Sequence, residues 1–250
     1  EEPMSDENTP SPSRNIRHQV GKAVHLFSMI APGDRIMIGL SGGKDSMLLS
    51  ICLRELQRRS PVRFHLMTCF IDPTGGEMNP APFEEFSANI GIPFVLIRHD
   101  TFKIIEGRGE RNPCSLCANL RRGILASAAR ERGCNAIALG HHLDDAVETA
   151  MMNLLMAGRF RSFEPAMTMS RSNVKVIRPL VLLRESAIEA EVRRLGLKTM
   201  APPCPFGRVT QRTRVKGLIR EIESEVPDVT GNILNALTSI PRPLGWGREG

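Results

Sequence analysis

Six residues, Ser41-Gly42-Gly43-Lys44-Asp45-Ser46, stand between an apolar run at 35–40 and an apolar pattern of helical spacing over 46–59. Two adjacent glycines let the backbone turn sharply and expose its amides. A helix that starts directly after them adds unpaired amides and the positive end of its dipole. Ser41 and Ser46 contribute hydroxyls, and Lys44 a charge. The segment predicts a cradle for the phosphates of a nucleotide. It is not a Walker loop, which needs a longer Gly-to-Gly spacing before its Lys-Ser/Thr.

A second constellation, Gly140-His141-His142-Leu143-Asp144-Asp145, follows a short apolar run at 136–139. Adjacent carboxylates at a strand end that opens a helix suit Mg²⁺. Such an ion would neutralise charge developing on phosphates. The same residues also read as a plain helix cap and a packed histidine.

The third constellation is made of thiols. Cys114-Ser115-Leu116-Cys117 spaces two of them for one metal centre, at the start of a helix that favours thiolate. Cys204, in a Pro/Gly loop, adds a third. Three readings stay open: an iron–sulfur cluster with one open position, a redox or persulfide pair, and a zinc site completed by His141 or His142. Cys52, Cys69 and Cys134 lie in apolar patterns and read as small buried hydrophobes.

The elements that must position these groups alternate. Helical spacing recurs over 15–31, 46–59, 83–90, 120–132, 144–155, 185–195, 209–224 and 229–240. Strand-like runs occupy 35–40, 62–72, 93–98, 136–139 and 174–177, with 198–200 a candidate edge strand. The polar stretch 99–113 reads as a mobile loop, and the basic stretch 157–173 as irregular. This alternation predicts an α/β fold, a parallel sheet covered by helices on both faces. Ligands in such sheets sit at the carboxyl ends of the strands. Residues 15–200 are expected to form that domain, and 201–250 a cysteine loop with a small helical region.

Composition narrows the function. The longest apolar runs are strand-sized, so no membrane span is expected. Residues 1–14 lack the apolar core of a secretory signal and read as a disordered tail. A cytoplasmic location follows, where disulfides are rare and loop cysteines serve metal or redox chemistry. The net charge is +6, and because residues 1–14 carry −3, the remainder carries +9. A basic body favours a polyanionic partner, nucleic acid first. With no Tyr and one Trp, stacking on bases is not strongly signalled.

Taken together, the three motifs resemble the PP-loop superfamily of N-type ATP pyrophosphatases, in its tRNA 2-thiolation branch, most nearly the tRNA 2-thiocytidine synthetase type. The resemblance spans 18–240 and includes Leu120-Arg121-Arg122-Gly123 and Ile177-Arg178-Pro179-Leu180. It implies an adenine nucleotide alpha hydrolase-like, Rossmann-like fold. The implied ATP site is Leu40, Ser41, Gly42, Gly43, Lys44, Asp45, Ser46, Asp72, Gly140 and His141. Lys44, Asp45, Asp144, Asp145 and Arg121 become the catalytic set, with Mg²⁺ on Asp145. Cys114, Cys117 and Cys204 would ligate a [4Fe–4S] cluster with one open iron site for the incoming sulfide.

Family enzymes adenylate the C2 oxygen of a tRNA base, release pyrophosphate, and replace that oxygen with sulfur as AMP leaves. The implied partners are tRNA, a sulfur donor (sulfide or a cysteine desulfurase) and a second copy in a homodimer. Arg122, Arg159, Arg161, Arg212, Arg214 and Lys216, with Arg208, are the expected tRNA contacts. Gly207 stands where many cytidine-thiolating members carry a further cysteine, and Arg121 where uridine-thiolating members often carry lysine. Other readings are a 2-thiouridine synthetase, a PP-loop sulfurtransferase or ligase for a small molecule, and a zinc-stabilised nucleotide sensor.

Overall fold

The computed structural model describes residues 10–109, 113–200, 204–206 and 211–239. At its centre is strand β1 (Arg35–Gly39), whose Ile36, Met37 and Ile38 are fully buried. A strand apolar on both faces must be covered from both sides. It pairs in parallel with β2 (His65–Asp72) on one side and β4 (Ala136–Ala138) on the other. β3 (Phe94–Arg98), β6 (Lys175–Ile177) and β5 (Ala166–Thr168) complete the sheet, in the order β3-β2-β1-β4-β6-β5. The order reverses direction at β1, which opens a crevice between the carboxyl ends of β1 and β4.

One face is covered by α1 (Arg14–Leu26), α2 (Lys44–Arg59) and α7 (Glu185–Arg194), through a core that includes Val20, Leu48, Leu53 and Ile188 over Ile36 and Ile38. On the other, α5 (Pro113–Glu131) sets Leu125 and Ala128 against Met37, Ile137 and Val176. α3 (Ala81–Asn89) packs on β3 and stacks Phe83 on Phe70, ring centroids 3.7 Å apart.

α6 (Leu143–Ala157) carries α8 (Gln211–Glu225) and α9 (Val229–Ser239). Val215 and Ile219 of α8 join Leu143 and Val147 in one apolar cluster. Burying two such side chains contributes roughly 3–6 kcal/mol. The partly exposed ion pairs of α8 contribute about 1 kcal/mol or less each. The apolar stripe therefore docks α8, and its charges decide what the helix shows to the site.

Five local expectations are corrected. The stretch 99–113 holds α4 (Thr101–Arg108), anchored by buried Ile105 and ended by Gly109 at φ +56°. A helix this short has too few turns to display a period. α5 starts at Pro113, which places Cys114 and Cys117 within its first five residues. The stretch 157–173 contains β5, which runs antiparallel to β6, so the sheet is not wholly parallel. Residues 198–200 form no strand; the Met200 N–H donates to the Gly42 carbonyl at 2.8 Å. The expected tail ends before residue 14, since the Ser13 N–H donates to the Glu191 carboxylate at 2.7 Å and α1 begins at Arg14. Among the described residues, no helix is long and apolar enough to cross a membrane.

Candidate active site

The loop 41–46 joins β1 to α2, and it is closed from within. Gly42 takes φ +77°, which favours glycine. The Ser46 hydroxyl donates to the Gly43 carbonyl at 3.0 Å and accepts from the Ser41 N–H at 3.1 Å. Ser46 is buried, so its hydroxyl shapes the loop and is not offered outward. Leu40 turns its side chain into the core, leaving only its main chain to the site. Asp72 is buried as well, and its carboxylate accepts from the Thr74 N–H and Oγ1 at 2.9 and 2.6 Å. It organises the loop after β2 and is not a free nucleotide ligand.

Lys44 Nζ lies 3.0 Å from Glu185 Oε1 and 3.3 Å from Asp45 Oδ1. Burial opposes the Lys44 charge, but Asp45 and Glu185 prevail and hold the ammonium above its ordinary range. Burial also pushes the Asp45 carboxyl up, against the pull of Lys44. Asp45 Oδ1 is sealed from solvent and has no hydrogen-bond partner. A buried carboxylate oxygen that faces the Lys44 ammonium at 3.3 Å but accepts no hydrogen bond, beside a phosphate loop, is a fit for a cation.

Gly140 and His141 follow β4 and meet this loop edge-on. A Cβ on Gly140 would stand 3.1 Å from both the Asp45 carbonyl carbon and the Ser46 nitrogen. His142 caps α6 reciprocally with Asp145: the His142 N–H donates to Asp145 Oδ2 at 3.0 Å, and the Asp145 N–H to His142 Nδ1 at 3.4 Å. Asp145 Oδ1 is 2.7 Å from Arg212 Nη1. Asp144 accepts from Arg184 Nε at 3.1 Å and from the Glu185 N–H at 2.6 Å. Both aspartates are thus ion-paired, and among the described residues no three His, Cys, Asp or Glu side chains converge on one metal position. His141 is held neutral: burial and then Arg178 push its imidazole down to about 4.

The thiols divide as expected between core and surface. Cys52, Cys69 and Cys134 are buried, whereas Cys114 and Cys204 are exposed and Cys117 is partly so. Burial raises the Cys117 thiol; Arg121 pulls it down, and Cys204 and Cys114 push it up. Arg121, Cys204 and Cys114 are thus near enough to act on Cys117, although the three thiols do not converge on one metal position among the described residues. The Phe206 ring meets Phe102 of α4 edge-on at 5.6 Å, which pins the Cys204 segment there. Three thiols fall one short of a closed tetrahedral metal site, while a cluster takes each thiolate on a different iron.

The expected tRNA contacts separate into two groups. Arg122, Arg159, Arg161 and Arg214 are exposed. Arg212 and Lys216 instead turn inward, Arg212 to Asp145 and Lys216 to Glu185. Arg208 and Gly207 lie outside the described residues.

The PP-loop domain pattern matches residues 12–215. The chain belongs to the PP-loop family. A tRNA-cytidine(32) 2-sulfurtransferase of Pelobacter propionicus is 39% identical to this PP-loop chain, over 92% of it and 88% of the relative. One of Geobacter sulfurreducens is 37% identical, over 92% of each. These similarities extend beyond the ATP-binding motif and place the chain in the tRNA 2-sulfurtransferase branch. In fold, the PP-loop chain is similar to the U34-tRNA thiolase NcsA from Methanococcus maripaludis with its [4Fe–4S] cluster: TM-score 0.70, 24% identity, 88% of this chain and 76% of that one.

Three PP-loop side chains that sequence reasoning passed over now stand at the site. Glu185 bridges Lys44 and Lys216, and their hydrogen bonds outweigh burial to hold its carboxyl at about 2. Arg184 pairs with Asp144. Glu148 is pushed up to about 7 by burial, with Arg212 opposing. An acid in the first turn of a helix reads locally as a dipole complement, so only the fold reveals Glu185 as a bridge.

Gly140→Ala tests the loop contact. Its backbone does not need a left-handed conformation, so any effect comes from the added methyl against the Asp45–Ser46 backbone. The expected outcome is a loss of about 1–3 kcal/mol in stability and weaker ATP binding. Thermal melting with and without ATP measures both.

Proposed function

We propose that this chain is an ATP-dependent tRNA sulfurtransferase that replaces the C2 oxygen of a cytidine with sulfur, releasing AMP and pyrophosphate. The observation that carries the reading is the coupling of two sites. The Met200 N–H grips the Gly42 carbonyl of the phosphate loop four residues before Cys204, and Cys204 lies beside Cys114, Cys117 and Arg121. These two contacts support a reading in which the adenylating loop and the three thiols serve one reaction. The name borne by relatives at 35–39% identity supports the same reaction.

The residues divide the work. Loop amides and Lys44 take the charge of the phosphates. The base oxygen attacks the α-phosphorus and pyrophosphate leaves. A sulfur nucleophile then attacks C2 and AMP departs with the former base oxygen. Arg121 is suited to polarise that oxygen. Asp45, whose Oδ1 accepts no hydrogen bond, and Asp145 would hold Mg²⁺, whose charge offsets that of the phosphates. Arg212 donates to Asp145, so Asp145 can take the ion only when Arg212 releases it. Cys114, Cys117 and Cys204 would hold a [4Fe–4S] cluster, which offers an open iron to inorganic sulfur. Exposed Arg122, Arg159, Arg161 and Arg214 face the tRNA backbone. The sulfur comes as sulfide or from a cysteine desulfurase, in the cytoplasm.

The test is anaerobic incubation with tRNA, ATP and sulfide, followed by mass spectrometry of the nucleosides. The expected product is 2-thiocytidine. 2-Thiouridine in its place would overturn the assignment of the base, and absence of any thionucleoside the assignment of the reaction.

A further inference from the structure

Arg178, at the carboxyl end of β6, is a buried cation without a buried anion. It is 3% exposed. Its Nε–H donates to His141 Nδ1 at 3.2 Å, and Nη1 donates to the Glu164 carbonyl at 2.5 Å. Its guanidinium carbon lies 4.7 Å from the Phe163 ring centroid. An Arg N–H can only donate, so His141 must accept at Nδ1 and cannot be a cation there. None of these partners carries a negative charge. The Glu164 side chain lends a favourable field, but among the described residues Arg178 forms no ion pair.

Desolvating a charge is costly unless an opposite charge compensates, and arginine does not shed its proton to escape. Burial, followed by Arg122 on α5, pulls Arg178 down to about 10, still charged at neutral pH. A second cation nearby makes the site worse for the empty protein and better for an anion. The Arg178 Nη2 has no acceptor among the described residues, yet it is not among the sealed-off polar atoms. That nitrogen therefore keeps some access to solvent.

The register locates Arg178 in the fold. Ile38 pairs with Ala138, and Ala138 with Ile177, so the residues just beyond them line one carboxyl edge of the sheet. Those residues are the phosphate loop, Gly140-His141 and Arg178. Gly140 touches the loop backbone, and His141 touches Arg178. Only Gly140 and His141 therefore link Arg178 to the phosphate cradle.

We infer that Arg178, backed by Arg122, is an anion site that takes a phosphate ester of the bound substrates. A planar guanidinium fork with an open terminal nitrogen suits phosphate oxygens. Two substrates present that chemistry: the α-phosphate of the adenine nucleotide in the loop, and the phosphodiester of the tRNA nucleotide brought to it. The second arm rests on the tRNA reading above; the first does not.

The test compares wild type, Arg178→Gln and Arg178→Lys for binding of AMP, of adenosine as the uncharged control, and of a tRNA transcript, with melting of each protein without ligand. The inference expects R178Q to weaken AMP or tRNA at least tenfold, R178K to recover part of that loss, and adenosine binding to stay unchanged. It also expects the unliganded melting temperature of R178Q to equal or exceed wild type, because an uncompensated charge has been removed. Loss of AMP alone assigns the nucleotide phosphate. Loss of tRNA alone, with a salt slope shallower by about one, assigns the tRNA backbone. R178Q that binds both probes within twofold of wild type would overturn the site. So would R178Q that melts lower or fails to fold, since Arg178 would then be a structural brace. Failure of the sulfur-transfer reading is seen separately, as wild-type protein that makes no thionucleoside.

Discussion

Lys44→Ala is expected to slow the release of AMP and pyrophosphate from ATP by about a thousandfold. Lys44 stands at the first turn of α2, directly after the glycines whose amides face the phosphates. Its ammonium is the only cation contributed by the loop itself. Removing it also withdraws the charge that holds Asp45 down, so a carboxyl already raised by burial moves further up. Stability should change little, because the Lys44 side chain is 25% exposed and its ion pairs are partly screened. Chromatography of the nucleotides and thermal melting check both halves. Release of ADP and phosphate by the wild type, or a variant within tenfold of it, would show that the loop does not split ATP between its α and β phosphates.

Cys204→Ala should strip bound iron and visible absorbance from anaerobically purified protein and abolish thiolation. Cys204 is exposed, so its loss removes a ligand without opening a cavity. Iron content reads the site independently of turnover. AMP release should fall far less than it does in Lys44→Ala, since the loop stays intact. Cys134→Ala is the control: Cys134 is buried in the core beside Leu125 and Ala129, so its loss should cost stability and leave iron in place. A wild-type protein that carries zinc and no iron would defeat the cluster, and colour that survives Cys204→Ala would remove Cys204 from its ligands.

The phosphate loop, the His/Asp segment and the cysteine pair were legible because each is a run of neighbours. A Gly-Gly turn, a cap and a thiol spacing act through local backbone geometry, and that geometry is written in consecutive residues. The central strands were legible for a similar reason: Ile36, Met37 and Ile38 are apolar without interruption, as a strand buried on both faces must be. Elements below the length of one clear period were not. α4 reads as a polar loop until Ile105 is seen in the core, and β5 is three residues on a sheet edge.

Charge partners were legible least of all. Lys216 and Arg212 look like two more solvated cations on a basic helix. The burial of Val215 and Ile219 turns that helix so that they meet Glu185 and Asp145. Lys44 and Glu185 are 141 residues apart, and Met200 reaches Gly42 across the fold through a backbone N–H that any residue but proline would supply.

By itself, then, the sequence determined the chemistry available: a phosphate cradle, carboxylates for a cation, and three thiols outside the core. The tertiary structure alone decided which of those groups are free. Asp45 faces Lys44 with an oxygen that accepts no hydrogen bond, Asp144 and Asp145 pair with arginines, Ser46 braces its own loop, and Arg178 is buried without a counter-charge. The physical reason is that a side chain's reactivity depends on its desolvation and its nearest charges, and both are set by packing between segments distant in the chain.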